Sequence, residues 1–101
     1  MRARLVAFSV AAEADIDAIA AYTKKRWGAD QADAYLTKLE EAFDSLAKMP
    51  AAGRNCDFLW PEMRRFEVES HVIFYRVEES HIQVIRVLHR RMLPVRSRFE
   101  P

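Results

Sequence analysis

The chain has 101 residues, 50% of them hydrophobic and 31% charged, with a net charge of +1. That balance predicts one domain with a modest core, and excludes both a disordered chain and a run of the ~20 apolar residues that a bilayer helix needs. The near-neutral total hides an asymmetry. Residues 1–62 carry eight Lys/Arg against ten Asp/Glu, whereas residues 63–101 carry eight Arg against five Glu.

Arg2 and Arg4 precede the apolar run LVAFSVAA, and Ala12-Glu13-Ala14 has the small-x-small form of a signal-peptidase site. The apolar run is short, however, and the residues after Ala14 continue a helical pattern begun before it. The segment therefore reads as part of the fold. Ala3 to Phe8 predicts a first strand, and Ser9 predicts a helix N-cap. Ala12, Ile16, Ile19, Ala20 and Thr23 then recur at helical spacing. Glu13, Asp15 and Asp17 lie toward the positive end of that helix dipole, and Lys24, Lys25 and Arg26 toward its negative end. Gly28 predicts the stop.

Asp30 predicts the next N-cap after a gap of about three residues. The second helix carries one apolar stripe, Ala32, Tyr35, Leu36, Leu39, Phe43 and Leu46, and Pro50 ends it. Two helices so joined form an antiparallel hairpin. Tyr22, Trp27 and Tyr35 are expected to pack within it. Residues 50–62, PAAGRNCDFLWPE, read as the one long loop, with Phe58 and Trp60 covering an end of the core.

Three strands follow. Arg65 to Glu69 alternates, with Phe66 and Val68 on one face. His71 to Glu78 is apolar on both faces, which marks a central strand. His81 to His89 repeats that character. Glu69-Ser70 and Glu78-Glu79-Ser80 make the turns, His71 and His81 read as turn or edge residues, and Pro94 opens a basic tail. The order predicts an α+β fold: a strand, an antiparallel helical hairpin, then a three-stranded antiparallel sheet, as a single domain over residues 1–101. Cys56 is alone, which excludes an intrachain disulfide and fits a cytoplasmic location. The three histidines show no metal-ligand spacing, and no cofactor motif occurs.

The chain resembles the ParE-type toxins of the RelE/ParE superfamily. The resemblance rests on Tyr22 with RWG at 26–28, QADAYL at 31–36, MPAAGR at 49–54, RRF at 64–66, HVIFYRV at 71–77 and IRVLHRRM at 85–92. It implies the toxin of a type II toxin–antitoxin pair, with a ParD-like, ribbon-helix-helix antitoxin and DNA gyrase as the target. It also implies plasmid stabilisation, and contact with operator DNA only through the antitoxin. A target would meet the terminal cations Arg90, Arg91, Arg96 and Arg98. An acidic, amphipathic antitoxin segment would fold into the groove between hairpin and sheet. Leu36, Leu39, Phe58, Trp60, Arg65 and Arg76 are the expected antitoxin contacts.

The rival reading is a RelE-like mRNA endonuclease. Cleavage through the 2′-hydroxyl needs a base, an acid and cations for the phosphorane charge. His89, Arg65, Arg86 and Arg90 are the candidates for those tasks. Ribonucleases of the superfamily often place an Arg where this chain has Val72, and some place a Tyr where it has Arg90. Each missing electrostatic group forfeits ~3–4 kcal/mol of transition-state stabilisation. His89 is therefore expected to be structural or interfacial, and no residue is assigned a catalytic role.

Overall fold

The computed structural model describes residues 4–92 and 94–99. Its elements are β1 (Leu5–Phe8), α1 (Val10–Trp27), α2 (Ala29–Lys48), β2 (Arg54–Asn55), β3 (Arg64–Val68), β4 (His71–Val77) and β5 (His81–His89). Arg2, Ala3 and the last two residues of the tail lie outside the described residues. Two helices lie on one mixed sheet, which is the expected α+β arrangement. The sheet is larger than expected, with order β1-β5-β4-β3-β2. β1 joins it as an edge strand parallel to β5, Leu5 opposite His81 and Phe8 opposite Val84. The supposed long loop supplies the other edge, β2, which pairs antiparallel with β3.

Ser9 caps α1 as expected, its hydroxyl accepting the Ala12 N–H at 3.0 Å. The helix junction is tighter than the sequence suggests. Gly28 alone separates the helices, at φ +95°. Its N–H donates to the Lys24 carbonyl, and its own carbonyl accepts the Ala32 N–H. Only glycine adopts that φ without strain, so one residue reverses the chain. Asp30 consequently sits inside the first turn of α2 rather than at its cap.

The stripe of α2 faces the sheet. Leu39, Ala42, Phe43 and Leu46 are buried with Ile73, Tyr75, Ile82 and Val84. Phe8 of β1 meets the Phe43 ring edge-on at 4.9 Å. β4 is central and covered on both sides, which explains its apolar run. Ile73 and Tyr75 face the helices; Val72 and Phe74 face a second cluster with Cys56, Leu59, Met63, Leu88 and Phe99. Trp60 packs against that second cluster, but Phe58 is 77% exposed, so only one of the two aromatics covers the core. Leu59 is the residue turned inward. The tail also folds back: Phe99 is buried and lies edge-on to Phe74 at 4.9 Å.

Tyr75 secures the 50–55 segment. Its buried hydroxyl accepts the Gly53 N–H at 2.9 Å and donates to the Pro50 carbonyl at 2.7 Å. A Cβ on Gly53 would lie 2.8 Å from the Arg65 carbonyl oxygen, so the approach needs glycine.

Phe43→Ala is expected to lower stability by ~3–5 kcal/mol in urea unfolding, and a loss under ~1 kcal/mol would mean that the α2 stripe does not seal against the sheet.

Candidate functional site

β1 pairs only with residues 81–84 of β5. Beyond that point the edge of β5 is taken over by the start of α1. The Ser9 hydroxyl donates to the Ile85 carbonyl at 2.7 Å, and Asp15 accepts the Val87 N–H at 2.9 Å. Asp15 also holds Arg86 by two 2.7 Å bonds, to Nε and Nη2. The third guanidinium nitrogen of Arg86 donates to the Arg98 carbonyl at 2.7 Å. The hydrogen bonds that Arg86 donates to Asp15, more than the charge of that carboxylate, hold this guanidinium protonated still more firmly than usual. Arg86 thereby links α1, β5 and the folded-back tail.

This docking props α1 against the end of the sheet and leaves a cleft of about 730 Å³ beside it. Its walls are Asp15, Ile19, Tyr22 and Trp27 of α1, Gln31, Tyr35 and Lys38 of α2, the turn Glu69-Ser70, and the strand ends His71 and Val87–His89, with Met92 beyond. That volume suits a ligand or an anchoring side-chain cluster. Tyr22 and Trp27 are each 66% exposed at its rim, which corrects the expectation that they pack inside the hairpin. They lie off the buried Ala12–Ile19–Thr23 face of α1. Arg26 covers the Trp27 ring at 5.5 Å.

His71 and His89 are cross-strand partners at the floor, their rings edge-on at 5.3 Å. His71 is thus no edge residue: it opens the central strand and contacts α2. The Tyr35 hydroxyl accepts the Ser70 N–H at 3.1 Å, which leaves its own proton free to go to His71 Nδ1, 2.6 Å away. Burial pushes the Tyr35 phenol up, which keeps that proton in place. His89 Nδ1 accepts the Arg91 N–H at 3.1 Å. Both imidazoles therefore carry hydrogen on Nε2. Burial, and then the adjacent His89, lower His71 from its ordinary 6.5 to about 4.

The other expected site residues scatter. Arg65 lies on the opposite sheet face, 5.8 Å over Phe74 and 3.6 Å from Glu67, and Arg86 is committed to Asp15. His89 and Arg90 stand at the far end of β5. The candidate ribonuclease set His89, Arg65, Arg86 and Arg90 is therefore not brought together. None of Leu36, Leu39, Phe58, Trp60, Arg65 or Arg76 lines the cleft. Leu39 is 1% exposed and has no surface to offer a partner, because its stripe faces the sheet. Leu36 is half-buried on the same core. Arg76 lies between Glu62 and Glu78, at 3.5 and 3.6 Å. Arg90 and Arg91 are exposed, Arg96 stacks over Trp60 at 5.0 Å, and Arg98 is half-buried. Among the described residues, no group of three His, Cys, Asp or Glu side chains converges on a metal position.

The model of the ParE toxin of type II toxin–antitoxin system, parDE, matches residues 6–94. Toxin ParE1 of Mycobacterium tuberculosis is 47% identical over 85 residues, spanning 83% of this chain and 87% of that protein. A solved chromosomal ParDE toxin–antitoxin system from P. aeruginosa shares the fold at TM-score 0.74 and 22% identity, over 85% of this chain and 95% of that one. The toxin–antitoxin complex RelBE2 from Mycobacterium tuberculosis does so at 0.65 and 17%, over 88% and 100%.

Two measurements test the site. Asp15→Ala leaves a half-buried guanidinium and the Val87 N–H without their acceptor, and is expected to cost roughly 1–3 kcal/mol in urea unfolding. The second is a pH profile. The unfolded chain protonates His71 near 6.5 while the folded one resists until about 4. Stability is therefore full above 6.5 and falls as pH drops toward 4, by about 1–2 kcal/mol at pH 5. His71→Phe should flatten that slope.

Proposed function

We propose the following mode of action for this chain, which belongs to the ParE toxin family of type II toxin–antitoxin systems. It acts in the cytoplasm by binding DNA gyrase, not by cutting RNA, and a ParD-like antitoxin silences it. Operator DNA is met only through that antitoxin, and the pair serves plasmid stabilisation. The observation that supports a binding mode is the dispersal of the candidate catalytic groups. Of the candidate arginines, Arg86 is committed to Asp15 and Arg65 lies on the face away from His89, which leaves only the exposed Arg90 beside the imidazole. An imidazole without positioned cations lacks the larger part of the required stabilisation.

In this reading the exposed pair Arg90 and Arg91 meets the target. The cleft between the hairpin and the sheet receives an amphipathic antitoxin segment. Tyr22 and Trp27 at its rim supply large apolar contact area at low entropic cost, as anchoring aromatics do.

The test combines growth, supercoiling and RNA-cleavage assays. His89→Ala is expected to retain toxicity, since no proton transfer is lost. Arg90→Glu with Arg91→Glu is expected to abolish inhibition of supercoiling by repulsion at the interface. Cleavage of mRNA by the purified chain, reduced ~10²–10⁴-fold in His89→Ala, would replace this reading with the endonuclease.

A further inference from the structure

The floor of the cleft has an unusual hydrogen-bonding character. Both Nδ1 atoms are occupied, His71 by the Tyr35 hydroxyl and His89 by the Arg91 N–H. Neither Nε2 has a partner among the described residues, and neither is sealed from solvent. Two N–H donors thus belong to cross-strand partners whose rings lie edge-on at 5.3 Å, and neither has an acceptor among the described residues. The acids nearby do not serve them. Asp15 is engaged by Arg86 and the Val87 N–H, and Glu69 pairs with Lys38 at 3.2 Å. The surrounding walls are largely apolar, from Tyr22, Trp27 and Met92.

We infer that the Nε2–H groups of His71 and His89 form a carboxylate-binding floor, which takes an Asp or Glu side chain from the protein segment docked in the cleft. This inference rests on the reading that the cleft receives an antitoxin segment, and names the chemistry of its anchor. A carboxylate can accept one N–H bond on each of its two oxygens, which does not require the two rings to be coplanar. It brings a single charge on a short apolar stem, which suits walls whose one cation, Lys38, is already paired. A phosphodiester backbone would need several free cations along its path.

A proton should follow the carboxylate. The groups facing the pair are Tyr35 and Lys38 from α2, Asp15 from α1 and Glu69 in the turn, while Arg91 contacts His89 only through its backbone N–H. Burial keeps the His71 imidazole neutral when the floor is empty. A carboxylate bonded to Nε2–H favours the charged imidazolium. Docking is then expected to raise the His71 midpoint from about 4 by about one pH unit, so that proton uptake accompanies binding only below about pH 6.

The direct test uses the chain labelled with ¹⁵N-histidine. Sodium acetate is the probe, sodium chloride at equal ionic strength the control, and inorganic phosphate the competitor. At pH 7.5 His71 and His89 should both show the Nε2–H tautomer. Acetate should shift both Nε2 signals saturably, leave His81 unmoved, and raise the His71 midpoint by about one pH unit. His89→Phe should abolish the response at His71, with folding checked by its melting transition. If His71→Phe does not fold, His89→Phe alone decides.

An acetate response no larger than that to chloride, or shared by His81, overturns the inference. So does saturation by phosphate at lower concentration than acetate, which would point to a nucleic-acid backbone. A co-purifying antitoxin whose affinity is unchanged by His89→Phe also overturns it while leaving the antitoxin reading intact. Acetate binding without any co-purifying partner would do the reverse.

Discussion

The contact between Asp15 and Arg86 sets the geometry of the rest. A single carboxylate completes the guanidinium fork and stands in for a missing strand at the Val87 N–H. β1 is too short to line β5 along its length, and the uncovered stretch would otherwise expose edge donors. Asp15 closes that gap from a helix. Because it is a side chain on α1, closing the gap also fixes where α1 sits. The angle of α1 against β5 decides how far the hairpin stands off the sheet end, and so whether a cleft exists. The remaining guanidinium nitrogen fastens the tail through the Arg98 carbonyl, which brings Phe99 onto Phe74.

Two cores share one sheet. The helical side is dense with aliphatic and aromatic contacts from α2, and the other is roofed by an irregular segment and the tail. β4 lies between them and buries both faces, so it is the structural spine. That position explains why its first residue can be a histidine with function. The strand is rigid, and the imidazole at its end is held by Tyr35 on one side and His89 on the other.

Much of this was legible in the chain. The apolar run of β4 announced a doubly covered strand, the α2 stripe announced its buried face, and Ser9 announced a cap. The residues that build the cleft were less so. Tyr35 and His71 meet across a separation of 36 residues, which depends on how the hairpin crosses the sheet. Periodicity says nothing about that crossing. Nor did the hairpin itself announce His71 and His89: unbroken pairing from Val77 opposite Ile82 would set His71 against Leu88, and the bulge at Phe74/Tyr75 is what brings the two histidines opposite. The short β2 was hidden because two residues carry no alternation to read. Asp30 resembled a cap because a one-residue reversal at Gly28 is a backbone property, invisible in side-chain pattern.

The parallel pairing of β1 with β5 has a consequence in time. Ser9 and Ile85 lie 76 positions apart, yet they are bonded neighbours in the finished sheet. The α1–α2 and β4–β5 hairpins are local and close early, whereas this pairing waits for a strand made much later and carries the full loop-closure cost. Until it forms, Asp15 has no Arg86 to grip and α1 has no fixed seat. The cleft is therefore a late product of folding, present only on molecules that have completed it. A protein that recognises this cleft distinguishes finished copies from nascent ones without any further proofreading.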